Sequence, residues 1–247
     1  AAVFNGSSSL ISLPTGVDKN NNFTLSFWVN FDTLSDYDSL ITLQLNYRIY
    51  TNAMSDGRLF FYDGNTTLST SAGAVATGNW YNIVVTKSST LVNGKGMIIY
   101  VNGVDVANNS VTANAINNTS TGLNLLGAYN ASPGGNYFYL DGRLDQVRIF
   151  NTALSSSNVA LLYAETSATS STLNYPTGTG GQALYEFSGN ADSTSSSAYN
   201  GTATDVLYAY NGTATDVTYG NGRFNEAANF NGSSSYIDTN AKIPVSL

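Results

Sequence analysis

The residues best suited to chemistry in this chain lie at 127 to 139 (GAYNASPGGNYFY), where Tyr129, Tyr137 and Tyr139 sit beside Asn130 and Asn136 around a Pro-Gly-Gly loop. Sugar recognition needs this combination, an apolar ring to stack under a pyranose face and amides to hold its hydroxyls. Tyr37, with Asp36 and Asp38, is a second candidate loop. Against both stands the ordinary use of aromatics in β proteins, cross-strand packing, in a chain with 17 tyrosines. Acid–base chemistry is thinly supplied. Histidine and cysteine are absent, which removes imidazole bases, thiolates, disulfides and the usual transition-metal ligands together. The glutamates are Glu165, Glu186 and Glu226, far apart in the sequence.

The elements that must position these residues are strands. Residues 23–30 (FTLSFWVN) alternate Phe23, Leu25, Phe27 and Val29 with Thr24, Ser26, Trp28 and Asn30, the period-two pattern of a strand between a buried and a partly wet face. The same pattern predicts strands at 40–45, 58–62, 80–87, 97–101, 123–126 and 144–150. Asp56-Gly57, Asp63-Gly64, Asn93-Gly94, Asn102-Gly103 and Asp141-Gly142 read as turns, because such pairs tolerate the positive φ of tight hairpins. Many short strands punctuated this way imply an all-β, antiparallel two-sheet sandwich. Residues 154–163 (LSSSNVALLY) break the pattern with helical spacing behind serines able to cap, which predicts one short helix. Trp28 and Trp80 lie inside predicted strands, so both are expected in the core.

The chain is also repetitive. Residues 227–237 (AANFNGSSSYI) rewrite residues 1–11 (AAVFNGSSSLI), as a tandem array would. Residues 1–166 then read as one sandwich lacking its opening segment, 167–182 as a Ser/Thr/Gly-rich linker, and 183–247 as the opening segment of the next repeat, completing a sandwich in cis or in a neighbouring copy. Within that segment 198–206 (AYNGTATDV) recurs at once as 209–217. The shift is odd, so inside one strand it would exchange inward and outward faces, and a hairpin or edge is the expected place for it. With Lys+Arg 9 against Asp+Glu 16 and 10% of residues charged, no basic footprint for nucleic acid exists. No apolar run predicts membrane insertion.

In combination, FTLSFWVN at 23–30, WYNIVVT at 80–86, IYVNGV at 99–104, LDGRLDQVRIFNTALSSSNVALLY at 140–163 and FNGSSSYI at 230–237 resemble the laminin G-like, concanavalin A-like jelly-roll family of secreted bacterial and phage proteins. The resemblance implies a jelly roll and leaves function open among binding modules, adhesins, structural repeats and glycosidases. A glycosidase on this scaffold works with two carboxylates at fixed separation, and the closely spaced Glu-x-Asp-x-Glu cluster of the glucanase relatives is missing from the sequence. Calcium is the cofactor the resemblance implies, held by oxygens at the sheet rim, with Asp145 and Asp192 at the matching positions. The expected function is a non-catalytic repeat module on an extracellular, cell or virion surface, acting in adhesion or display and binding neutral glycans. The alternative is a filament or coat protein whose copies complete one another by strand addition.

Overall fold

The computed structural model describes residues 1–14, 22–34, 37–43, 47–51, 55–92, 95–107, 123–130, 137–165, 175–176, 179, 181–187, 191, 193, 200–204, 207–208, 212–215, 218–221, 226–229 and 236–239. Its strands are β1 (Ala2–Asn5), β2 (Leu10–Leu13), β3 (Phe23–Phe31), β4 (Ser39–Leu43), β5 (Tyr47–Thr51), β6 (Leu59–Tyr62) and β7 (Thr67–Ser69). They continue as β8 (Trp80–Val92), β9 (Lys95–Val101), β10 (Val104–Asp105), β11 (Asn124–Leu126), β12 (Ala128–Asn130), β13 (Tyr137–Tyr139) and β14 (Asp141–Phe150). After the helix α1 (Ser156–Tyr163) come β15 (Gly181–Tyr185), β16 (Thr202–Thr204), β17 (Leu207–Tyr208), β18 (Gly212–Thr215), β19 (Thr218–Asn221), β20 (Glu226–Asn229) and β21 (Tyr236–Thr239).

Two antiparallel sheets face each other. The first runs β10-β9-β8-β3-β14-β1-β17, with β15 paired to the far half of β14, and the second runs β16-β2-β11-β4-β5-β6-β7. Alternation along each strand sends one set of side chains inward, so Phe4, Phe27, Val29, Ile83 and Leu144 of the first sheet meet Ile11, Ile41, Ile49 and Phe61 of the second in one apolar core. One buried ion pair crosses between the sheets: Lys87 of β8 donates to Asp63, at the end of β6, and both are 1% exposed. Asp63 also accepts the N–H groups of Asn65 and Thr66, at 3.0 and 2.7 Å. Burial, then the Asp63 charge, push the Tyr47 hydroxyl well above the ordinary tyrosine range.

The outer face of the first sheet carries the helix. Ser155 caps it, accepting from the Asn158 N–H at 3.3 Å, and Val159 and Leu162 bury against Val84, Ile98, Tyr100 and Phe150. Beneath it Arg148 donates to both oxygens of Glu165 at 2.8 and 2.7 Å, with neither side chain exposed. Burial raises the Glu165 carboxyl above its ordinary value, and the Arg148 charge opposes the rise.

Three expectations need correction. β3 is buried at every residue, because its outward face, expected to be partly wet, lies on the side of the sheet that the helix covers. Trp28 is buried, stacked on Tyr163 of the helix at 6.0 Å, but Trp80 is 41% exposed. Trp80 opens β8 and pairs with Asn30 on the helix-bearing side of the sheet, where alternation directs it away from the inter-sheet core. Asp141-Gly142 is no turn: both residues belong to β14. Gly142, with φ +155°, is required because a Cβ would come within 2.3 Å of the Asn30 carbonyl oxygen. Asn102-Gly103 is a true two-residue hairpin, with φ +51° and +79°, while Asn93-Gly94 lies outside the described residues.

Candidate functional site: an aromatic cluster on the open face

The outer face of the second sheet has no helix among the described residues, and the β12–β13 hairpin folds onto it instead. Thr42 of β4 donates its hydroxyl to the Ala128 carbonyl at 3.0 Å. The Gly127 N–H donates to the Leu40 carbonyl, and the Leu140 N–H to the Gly127 carbonyl, each at 2.9 Å. Gly127 itself has φ +73°, and a Cβ there would fall 2.2 Å from the Phe4 ring. Only glycine lets the chain turn here against the core.

Register then decides which aromatics meet. In the hairpin Tyr129 stands opposite Phe138, and their rings stack with centroids 6.2 Å apart. In the sheet Tyr50 of β5 stands opposite Phe60 of β6, stacked at 5.3 Å. Tyr37 joins the two groups, stacking on Tyr50 at 6.2 Å and meeting Phe138 edge-on at 5.5 Å. Arg48 closes the circuit, its guanidinium carbon 4.1 Å from the Tyr50 centroid and 4.2 Å from that of Tyr129, a double cation–π contact.

Arg48 differs from its counterparts. Arg58 holds Asp56, Arg143 holds Asp32 and Arg148 holds Glu165, whereas among the described residues Arg48 pairs with no carboxylate. Clamped between two ring faces, the guanidinium has its plane fixed and only its edge left for donation. Tyr37 is 39% exposed and adopts φ +65°, a left-handed conformation that costs a bulky residue about 1 kcal/mol or more and persists where surroundings enforce it.

The structure thus brings together Tyr37 and Tyr129, from the two loops singled out in the sequence. Tyr139 is half-buried in β13, where alternation sets it on the side opposite Phe138. Asn130 and Tyr137 pair across the hairpin backbone. Asn136, and Asp36 beside Tyr37, lie outside the described residues. Arg48, Tyr50, Phe60 and Phe138 escaped the sequence reading, although the alternation of Tyr47-Arg48-Ile49-Tyr50 already sets Arg48 and Tyr50 on the face opposite Ile49.

For calcium, Asp192 lies outside the described residues. Asp145 accepts the Gln146 N–H at 2.9 Å and lies 3.6 Å from the Ala1 ammonium. Its carboxyl is raised by burial, which the ammonium and the Gln146 hydrogen bond oppose. No group of three or more carboxylates gathers among the described residues.

A jelly-roll sandwich with an aromatic-rich open face is the class of protein that this geometry defines. Residues 5–160 match the Laminin_G_3 model of the concanavalin A-like lectin/glucanases superfamily, and the chain belongs to that family. Among solved structures it is similar to a protein from Bacteroides ovatus provisionally described as carbohydrate binding, with 18% identity and a TM-score of 0.64, over 83% of this chain and 58% of that one. The chain therefore spans little more than half the length of that protein. It is also similar to domain 4 of an extracellular arabinanase from Geobacillus stearothermophilus, solved with arabinotriose, with 23% identity, a TM-score of 0.45, and coverage of 64% of this chain and 73% of that one. A third is the pentraxin of Limulus polyphemus, with 17% identity, a TM-score of 0.47, and coverage of 66% and 81%. Several sialidases also match, with TM-scores below 0.5. No curated protein matches this sequence.

Proposed function

We propose that this chain is a non-catalytic glycan-binding module of an extracellular or virion surface, acting in adhesion or display, and that its site is the aromatic cluster of Tyr37, Tyr50, Phe60, Tyr129 and Phe138 around Arg48. The observation that carries the reading is the closed circuit of rings from three separate parts of the chain. Rings that served only to cover a sheet would need neither an arginine clamped between them nor a tyrosine held at positive φ. The Bacteroides ovatus protein's description points the same way.

In this site a pyranose stacks its apolar face on the open rings, while the Arg48 edge donates to its hydroxyl oxygens. A neutral glycan suits the chain better than a polyanion, because the net charge is −7 and one arginine is no basic patch. A glycan array probed with the full chain, followed by calorimetric titration of any hit, tests this. Binding to neutral oligosaccharides that Tyr50→Ala abolishes supports the assignment, and blank arrays sink it. Calcium at Asp145 and Asp192 stays a subordinate proposal, checked by whether calcium raises, and a chelator lowers, the unfolding temperature.

A further inference from the structure

The two sequence repeats meet in the strand pairing. In the sandwich β16 lies on the edge of the second sheet against β2, with Thr202 opposite Ser12, Ala203 opposite Ile11 and Thr204 opposite Leu10. β17 lies on the edge of the first sheet against β1, with Leu207 opposite Val3 and Tyr208 opposite Ala2. β16 and β17 therefore work as a clasp, closing the same side of both sheets. Farther along, β18 pairs with β21, setting Thr213 opposite Asp238, Ala214 opposite Ile237 and Thr215 opposite Tyr236. β19 pairs with β20, setting Thr218 opposite Asn229 and Tyr219 opposite Ala228.

Translated through the repeats, these are the same pairs. Thr213, Ala214, Thr215 and Tyr219 are the second copies of Thr202, Ala203, Thr204 and Tyr208, and Ala228, Tyr236, Ile237 and Asp238 repeat Ala2, Leu10, Ile11 and Ser12. All five register partners of the first clasp recur in the second, antiparallel in both cases. The chain holds two clasps, β16–β17 and β18–β19, and two acceptors for them, β1–β2 and β20–β21.

We propose that the two clasps are interchangeable, and that the partner this edge fits is a second copy of this chain, whose β1–β2 pair takes the second clasp. Edge pairing is made largely by backbone N–H and C=O groups and tolerates side-chain differences. The acceptors differ at Val3/Asn229, Leu10/Tyr236, Ser12/Asp238 and Leu13/Thr239, while the clasps share the Gly-Thr-Ala-Thr-Asp-Val core. Exchanging one clasp for the other conserves the backbone hydrogen bonds, so local concentration decides which acceptor is filled. In an array of repeats the duplication supplies each acceptor with a clasp, and successive sandwiches are joined through their edges. Between separate chains the same exchange is a domain swap.

The chain has no cysteine, so introduced thiols report pairing directly. One variant carries Ser12→Cys and the other Thr213→Cys. The full-length chains are mixed, unfolded and refolded together, then oxidised and run on a non-reducing gel. Disulfide-linked heterodimer well above the level given by Ser12→Cys with Ser157→Cys, on the exposed helix surface, is expected. Ser12→Cys/Thr202→Cys in one chain must close internally and proves that the thiols can react across this register. Heterodimer at the control level, with the internal disulfide formed, overturns the proposal, and does so whether or not the aromatic cluster binds a glycan.

Discussion

Arg148 and Arg48 both extend from outward faces of the sandwich, and they are treated in opposite ways. On the first sheet a helix lies over the face, water is excluded, and Arg148 is held by both oxygens of Glu165 with neither side chain exposed. On the second sheet a hairpin leaves the face half-open, and Arg48 meets tyrosine rings on both sides and no carboxylate among the described residues. A charge that is buried must be neutralised locally. One held between aromatic rings on a half-open face needs no carboxylate to hold it in place. The first face reads as structure and the second is the proposed site, from the same residue type on the same architecture.

Breaking the buried pair has the largest expected effect. Glu165→Ala leaves Arg148 uncompensated and costs roughly 3–5 kcal/mol, measured by urea unfolding. Arg148→Met with Glu165→Leu recovers most of that loss; if it recovered none, the pair would be doing more than neutralising itself. Gly127→Ala comes next, at about 2 kcal/mol or more from the clash with Phe4 and the positive φ, with a matching loss of glycan affinity as the hairpin shifts. On the open face Arg48→Met should change stability by less than about 1 kcal/mol while weakening glycan binding roughly tenfold, which calorimetry would read. A large stability loss there would erase the contrast between the two arginines.

The smallest effect is one of pH. Because burial raises the Glu165 carboxyl in the folded state, the fold binds that proton more tightly than the unfolded chain does. Across the window from the ordinary glutamate value up to the folded one, wild-type stability relative to Glu165→Gln therefore falls as pH rises. Urea titrations of both proteins through that window measure the slope, and a rise instead would mean that the Arg148 charge outweighs burial.

The sandwich was legible in the sequence because period-two alternation is dictated by the pleat itself, as in Phe23–Phe31, and because the serines ahead of α1 cap it as expected. Trp80 departs from expectation because alternation tells which residues share a face, not where the cover over that face ends. The site was half legible. Tyr129 and Tyr37 drew notice through their loop composition, but Tyr50 and Phe60 sit within β5 and β6, where aromatics are ordinary, and what sets them apart is the hairpin laid over them by Gly127 and Thr42. That docking is a tertiary event with no local signature. The recurrence at 227–237 was plain from the letters, whereas its pairing in matched register needed the strands.

The glycine at 127 has a consequence for how such a protein changes over generations. It ties the hairpin's placement to the Phe4 ring of the core, so that position is frozen by the need to fold. The rings at 60 and 138 meet other rings of the outer face instead. Under the proposed reading, variation at those rings would retune what is recognised, while the anchor keeps presenting each new surface in the same pose.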